Sequence, residues 1–502
     1  MGKRKKERNY LTGSTGKPVN HLGRLVAEED PDLMRYYVNK ERYVDRALSF
    51  PDPAVFFIGP KGVGKSAVLQ MVRLLRAADA SRVVSISPDD LAFSALANIN
   101  ADTPVLANAG QNQYLFKALW DYVLAVQLLK REFRQNSVVM DVVAGLFRAK
   151  DEKEARRLLG MSLNDDGSAP SLTDRVLELV REVELTGEAE GVKLSGAVKL
   201  EHPESRQKQL TLLALVHSVA KNLPSLLKHP YHVLVDDLDT HWHDTPVQNA
   251  FLAALFTSLR KLNNSNTLKF VVALRERIFK RLPLEDRDKL SDWVCRVEWD
   301  APTIRAMIER RVAGAIGCRE EDVWGEVFPV NSFNILFKRT TGRPREMIRL
   351  AAQCIECAQA NEHRRVEEED INAAVRRFSV SRLEDLASDI GHRYYAFDLF
   401  VRRMIGWPKE FPIGKIADLA IAIWMDAEGQ HQHPLPYCWA GAYQDRPLDL
   451  ARILLESGVL MLKQSRTAPP QTFDAETHTE LRDDMWFAVH PMYAPGLDCV
   501  GE

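Results

Sequence analysis

The run Gly59-Pro60-Lys61-Gly62-Val63-Gly64-Lys65-Ser66 has the residue types and spacing of a phosphate-binding loop, G-x-x-x-x-G-K-[ST]. Glycines, lacking Cβ, let successive backbone N–H groups converge on phosphate oxygens. A helix starting at the loop adds the partial positive charge of its N-terminus. Lys65 is placed to reach β- and γ-phosphates, and the Ser66 hydroxyl is a hard oxygen ligand for Mg²⁺. With Ala67 behind them, these residues form the expected ATP/ADP-binding set. A second constellation, Asp236-Asp237-Leu238-Asp239, follows the apolar run Tyr231-His232-Val233-Leu234-Val235. Asp236 is the expected Mg²⁺ carboxylate, acting through the ion's hydration shell, and Asp237 the group that orients or deprotonates an attacking water.

These groups need elements to hold them. Ala54-Val55-Phe56-Phe57-Ile58 reads as a buried strand ahead of the loop, and residues 67–75 as a helix behind it. Residues 83–86, 231–235, 268–275 and 293–299 read as further strands, so an α/β parallel sheet is expected. Residues 28–48 read as a helical lead-in. From about 110 to 180, Phe116, Leu119, Trp120, Val123 and Val126 keep helical spacing; residues 181–200 change period as in a hairpin, and 206–222 return to helix. Helices are expected over 303–316, 325–338, 343–360 and 366–378, and a last region ends as helix 448–457, strand, polar loop and strand 486–489.

A chain of 502 residues with 45% hydrophobic and 27% charged residues is long enough for several domains of an ordinary globular protein. A net charge of −2 excludes a general polyanion binder, although Lys3, Arg4, Lys5, Lys6 and Arg8 make the start basic. No run of 18 apolar residues suggests a membrane span, the start lacks an apolar signal core, and six scattered cysteines suit a reducing compartment, so a cytoplasmic protein is expected. Cys354 and Cys357 fit buried thiols better than a zinc pair; His241-Trp242-His243-Asp244, and His431 and His433 with Cys438, are weak metal patterns.

Together these motifs resemble the AAA+/STAND class of P-loop ATPases, in particular compact prokaryotic members related to NACHT and NB-ARC modules. The matches are the loop from Gly59 to Ser66, the Asp236-Asp237 pair, Arg275 at the end of the following strand, and Gly342-Arg343-Pro344-Arg345 after the lid helices. The resemblance implies that Arg275 senses the γ-phosphate and joins Asp237 and Lys65 in catalysis. It also implies that Pro344 packs near adenine, that Arg345 is a second sensor, and that His490 (followed here by Pro491, where the class has Asp) contacts the β-phosphate from a winged helix. The implied domains are a basic disordered arm over 1–25, an ATPase core over 26–300 with a helical and hairpin insertion at about 110–222, a helical lid over 301–385, and a winged-helix-like domain over 386–502.

The implied activity is that of an ATP-binding and ATP-hydrolysing switch that forms homo-oligomers or engages a separate effector or sensor protein, in prokaryotic defence against phages or mobile elements. Hydrolysis in the class usually needs a further arginine, for which Arg275, Arg277, Arg281 and Arg287 are candidates. The rival reading is a DNA-handling AAA+ ATPase of the origin-recognition or transposition type. Arg446, Arg452, Lys463 and Arg466 would then lie on the DNA-binding winged helix, among acidic Asp445, Asp449 and Glu456.

Overall fold

The structure, a computed structural model, describes residue 11 and residues 22–86, 109–135, 154–155, 158, 203–240, 242, 244–263, 266–284, 287–391, 393–429, 435–473 and 480–501. The hairpin expected over 181–200 lies outside these residues, as do His241, His243, His431 and His433. By contacts the chain divides into two compact units, Val26–Glu298, and Trp299–Glu502 together with Met1–Leu25.

The first unit is built on five parallel strands: β1 (Phe56–Gly59), β2 (Val83–Ile86), β3 (Tyr231–Val235), β4 (Leu268–Arg275) and β5 (Val294–Arg296), in the order β2-β3-β4-β1-β5. Near-continuous apolar runs suit strands covered on both faces, and every residue of β1 and β3 is buried. β1 sits where the order of strands turns back on itself, so a crevice opens beyond its carboxyl end. The register places Gly59 beside Arg275 and Val235 beside Val272, which brings the ends of β1, β3 and β4 to one edge.

The lead-in to this sheet is not one helix. It breaks into α1 (Leu33–Tyr36) and α2 (Tyr43–Leu48), because the Asn39 side chain accepts a hydrogen bond from the Val44 N–H at 3.0 Å and Glu41 and Arg42 turn through positive φ. Helix α3 (Lys65–Leu75) follows the glycine loop. Helices α4 (Ala109–Gln135), α5 (Pro203–Leu226) and α6 (Pro246–Leu262) share the hydrophobic core of the sheet. Trp120 of α4 is fully buried, stacks on Phe251 with ring centroids 4.8 Å apart, and donates its indole N–H to the Phe251 carbonyl at 2.8 Å. Thr245 caps α6, with Pro246 opening it. Short α7 (Glu276–Arg281) follows β4.

The second unit opens with α8 (Ala301–Ile316), α9 (Ser332–Lys338), α10 (Pro344–Ala360) and α11 (Glu368–Ile390). The helix expected over 325–338 is shortened, since Gly325 takes φ 142° and a wide turn over Val323–Val327 comes first. Helix α11 runs twelve residues past its expected end at 378. Beyond α12 (Phe397–Arg402), three antiparallel strands, β6 (Glu410–Pro412), β7 (Leu460–Lys463) and β8 (Trp486–Val489), form a small sheet in the order β6-β8-β7, with α13 (Gly414–Gly429) and α14 (Pro447–Glu456) beside it. β6 carried no sequence signal, being three residues long and ending in proline. The unit is tied together by Ser379, whose hydroxyl accepts the Gly496 N–H at 2.8 Å, and by Arg339, which donates to the Pro491 carbonyl at 3.0 Å. Of the arm expected over 1–25, Leu11 and Leu22 are buried in this unit, with Gln359 and Arg311 donating to their carbonyls; residues 1–10 and 12–21 lie outside the described set. The architecture is α/β: a P-loop NTPase parallel sheet carrying inserted helices, followed by a helical region and a winged-helix-like end.

Candidate nucleotide site

The loop after β1 turns on two glycines, Gly62 at φ 81° and Gly64 at φ 98°, a region costly for any residue with a Cβ. Gly59 is required for a different reason. A Cβ there would stand 2.8 Å from Val63 Cγ1 and 3.0 Å from the Val297 carbonyl oxygen. Gly64 stands at the N-cap of α3 with no side chain to cap it, so the first N–H groups of that helix face the loop. The Lys65 ammonium donates to the carbonyls of Gly59 and Pro60, both at 2.9 Å, so in this state the loop's own oxygens hold the cation. Lys61 lies on the exposed side of the loop, while Val63 is buried under it.

Asp236 emerges from the buried end of β3 into the same crevice. Its carboxylate accepts the Asp237 N–H at 2.9 Å and lies near the Ser66 hydroxyl. Burial pushes this carboxyl up from 3.8 to about 6; the charges of Asp237 and Glu28 push the same way, and the Asp237 N–H and the Ser66 hydroxyl oppose. Asp237 takes φ 57°, a left-handed conformation that Asp tolerates, and its side chain is exposed. Burial and the Asp239 and Glu28 charges raise its pKa, against Arg73 and Arg275. Arg275 is ion-paired with Asp239, both side chains mostly covered.

Two acidic residues carry no role in the motif pattern and nonetheless reach the site. Asp239 is legible as the third carboxylate of its run. Glu28 belongs to no motif, and only the packing of its 3₁₀ turn, Ala27–Glu29, against α3 brings its charge toward Asp236. The other candidate arginines are already engaged. Arg277 lies 5.6 Å above the Trp242 ring centroid, Arg281 pairs with Asp244 at 3.0 Å, and Arg287 donates to the carbonyls of Lys280 and Leu282 at the end of α7.

Pro344, Arg345 and His490 belong to the second unit. Pro344 is the buried first residue of α10, preceded by Gly342 at φ 72°, and Arg345 is exposed. Thr341 donates through its N–H and hydroxyl to Glu346, both at 2.7 Å. His490, just past β8, lies within electrostatic reach of Glu346 and Arg343, so this turn and the histidine do come together. Burial lowers the imidazole from 6.5 to about 4, against the pull of Glu346, and its Nδ1 accepts the Met492 N–H at 3.1 Å. Cys354 and Cys357 are buried free thiols in α10, and burial raises both above the ordinary thiol range.

Of the basic set expected near the three-stranded sheet, one cation is buried and Arg446, Arg452 and Arg466 stay exposed. Lys463 is buried against Glu410, Arg446 lies near Asp449 at 3.8 Å and over Tyr443, and Arg466 covers Trp486. No described helix is long and apolar enough to cross a membrane.

The chain's residues 302–387 match a family described as the FunZ-associated C-terminal helical domain. A curated relative, the putative transposon gamma-delta 80.3 kDa protein of Escherichia coli strain K12, is 21% identical over 387 residues, which are 73% of this chain and 51% of that protein. The chain thus spans about half the length of the curated relative it matches. Among solved structures, the chain is similar to the Aeropyrum pernix ORC1 protein in complex with DNA (14% identity, 95% of this chain and 96% of that one, TM-score 0.40). It is also similar to the Aeropyrum pernix ORC2 protein in its ADPNP–ADP complexes (12% identity, 92% and 93%, TM-score 0.35) and to Cdc6p of Pyrobaculum aerophilum (12% identity, 93% and 92%, TM-score 0.33).

Proposed function

We propose that the chain is an ATPase of the switch type, binding ATP or ADP with Mg²⁺ on the first unit and changing its assembly or partners with the nucleotide. The observation that carries this is the pairing at the end of β1 and β3. The Ser66 hydroxyl stands near a largely covered Asp236 carboxylate, beside a glycine loop whose lysine rests on backbone carbonyls. These are the residue types that a phosphate and its metal need, gathered at the ends of two buried strands. A magnesium ion bound with the nucleotide would supply charge neutralisation, for which two adjacent hard oxygens, Ser66 Oγ and the Asp236 carboxylate, are suited.

In this reading Lys65 leaves the Gly59 and Pro60 carbonyls for the β- and γ-phosphates, and the N–H groups of the loop and of α3 take the phosphate oxygens. Asp237, exposed and left-handed, orients the attacking water and holds its proton. Arg275, beside Gly59 in register, releases Asp239 to meet the γ-phosphate. For Pro344, Arg345 and His490, the resemblance of the motifs is what supports a nucleotide contact, and Arg345→Ala tests it by ATP affinity. The test is the mass of the purified chain, by light scattering, with ADP and with a non-hydrolysable ATP analogue, alongside ATP affinity by calorimetry. Saturable binding with a nucleotide-dependent change in mass supports the switch. An unchanged mass in both nucleotides counts against assembly, and absence of binding refutes the site.

A second reading, DNA handling through the C-terminal unit, is favoured by the transposon protein among the relatives. Lys463 is buried against Glu410, which leaves the exposed Arg446, Arg452 and Arg466 of the expected basic set to face a duplex. Duplex affinity that falls steeply with salt would favour this reading. A role in defence, through a separate effector, rests on the resemblance of the motifs and is tested by co-purification from the native host with and without phage challenge.

A further inference from the structure

Outside the nucleotide site, metal-ligating side chains converge where α10 turns into α11. Asn361 caps the end of helix α10, Glu362 takes φ 59°, and the His363 N–H returns to the Ala358 carbonyl at 2.9 Å. Glu367 then caps α11 in a reciprocal box. Its side chain accepts the Asp370 N–H, and the Asp370 carboxylate accepts the Glu367 N–H at 2.9 Å. Asp370 is fully buried and takes two more donors, Asn361 Nδ2 at 2.7 Å and His363 Nδ1 at 2.8 Å.

That last bond fixes the ring. With Nδ1 held by a buried carboxylate, Nε2 faces away from Asp370 and lies 3.2 Å from Glu369 Oε1. One ligand atom from each of His363, Glu367 and Glu369 lies within 4.8 Å of the other two. A 3.2 Å separation is close to the edge of a tetrahedron with metal–ligand bonds of about 2 Å. A metal-bound histidine whose second nitrogen is held by a carboxylate is the usual outer-sphere arrangement of protein metal sites. The turn is also rich in charge, with Glu368 beside Glu369 and Asp370 in the first turn of α11. The helix N-terminus absorbs part of that charge.

We propose that this corner is a divalent transition-metal site, with His363 Nε2, Glu367 and Glu369 as ligands, Asp370 as the positioning residue, and water completing the shell. One imidazole and two carboxylates suit Zn²⁺ or Mn²⁺ better than Ca²⁺, which prefers an all-oxygen set. Binding requires the neutral ring, so any proton on Nε2 is released to solvent as the metal–nitrogen bond forms. Glu369 and Glu367 exchange their interaction with the imidazole for bonds to the ion. Because the ligands span the loop from α10 to α11, the ion would fasten that corner and stabilise the second unit; no substrate is implied.

The probe is Zn²⁺ titrated into the chelator-treated full chain, read by calorimetry, with Co²⁺ absorption as a second signal. Thirteen histidines and six cysteines offer other ligands, so the readout is the difference between variants. Wild type is expected to show one equivalent that His363→Ala loses and that Glu369→Gln weakens at least tenfold. Glu369 is exposed, so its variant folds whatever happens to His363. Zn²⁺ is expected to raise the melting temperature of wild type and not of His363→Ala. Equal Zn²⁺ binding by wild type and both variants, or no saturable binding by wild type, overturns the site and leaves a protonated His363 paired with Asp370 and Glu369.

Discussion

Replacing Asp236 by asparagine separates the residue's cost in the empty protein from its use. Asparagine keeps an oxygen that can accept the Asp237 N–H and removes the charge. The carboxyl rises from 3.8 to about 6 on folding; at 1.36 kcal/mol per unit, the desolvated charge costs about 3 kcal/mol at neutral pH. Below about pH 4 the group is protonated in both states and costs nothing. Between about 4 and 6 the unfolded chain loses its proton first, so stability falls as pH rises, and above 6 the cost is constant. Asp236→Asn is therefore expected to melt higher than wild type at pH 7 without nucleotide, by about 6–10 °C for a unit of this size. The advantage should disappear by pH 4. With Mg²⁺ and ATP the order should reverse, because only wild type has a carboxylate for the ion. Differential scanning fluorimetry from pH 4 to 8, with and without Mg²⁺–ATP, reads both effects. A variant no more stable than wild type at pH 7, or one whose gain is the same at pH 4, would refute the desolvation argument.

Lys65→Ala should abolish ATP binding by calorimetry while leaving the apo fold intact, since the carbonyls it vacates remain at the crevice. Asp237→Ala should keep ATP affinity and lower turnover by about 10²-fold or more in a phosphate-release assay. A double-mutant cycle on Arg275 and Asp239 by denaturant melts should give a coupling of about 1 kcal/mol, and Arg275→Ala should also slow turnover. Burial holds His490 neutral down to about pH 4. The unfolded chain protonates first as pH falls below about 6.5, so the second unit should lose stability from there down to pH 4. His490→Gln should flatten that slope in acid melts followed by tryptophan fluorescence.

The sheet was legible because its strands are short, apolar and bounded by turn residues; β4 was read to both ends. The lead-in over 28–48 was not, because its apolar spacing is helical while Asn39 competes for the backbone and Glu41 and Arg42 leave the helical region. Motif residues announce themselves by type and spacing, as Lys65, Ser66 and Asp236 do. Their apo-state partners do not: nothing in the sequence says that Lys65 would rest on Gly59 and Pro60, or that Glu28 would come up against α3. The basic set near the C-terminus shows the opposite failure. Sequence counts Lys463 as a surface cation, and the fold buries it against Glu410 from a strand too short to read.

The central place of strand β4 also governs the order of events during synthesis. It lies between β3 and β1, and its ends are clasped to both neighbours. The fully buried Lys269 donates to the Asp52 and Ala54 carbonyls at 2.7 and 2.8 Å, just ahead of β1, and Arg275 pairs with Asp239, just after β3. Until residues 268–275 leave the ribosome, β1 has no neighbour on that side. At about 5–20 residues per second, the roughly 200 residues between them keep an apolar, unpaired strand waiting for about 10–40 s. The nascent chain is therefore most vulnerable to mispairing, and most in need of a chaperone, in the interval between making its glycine loop and making the strand that sets that loop in place.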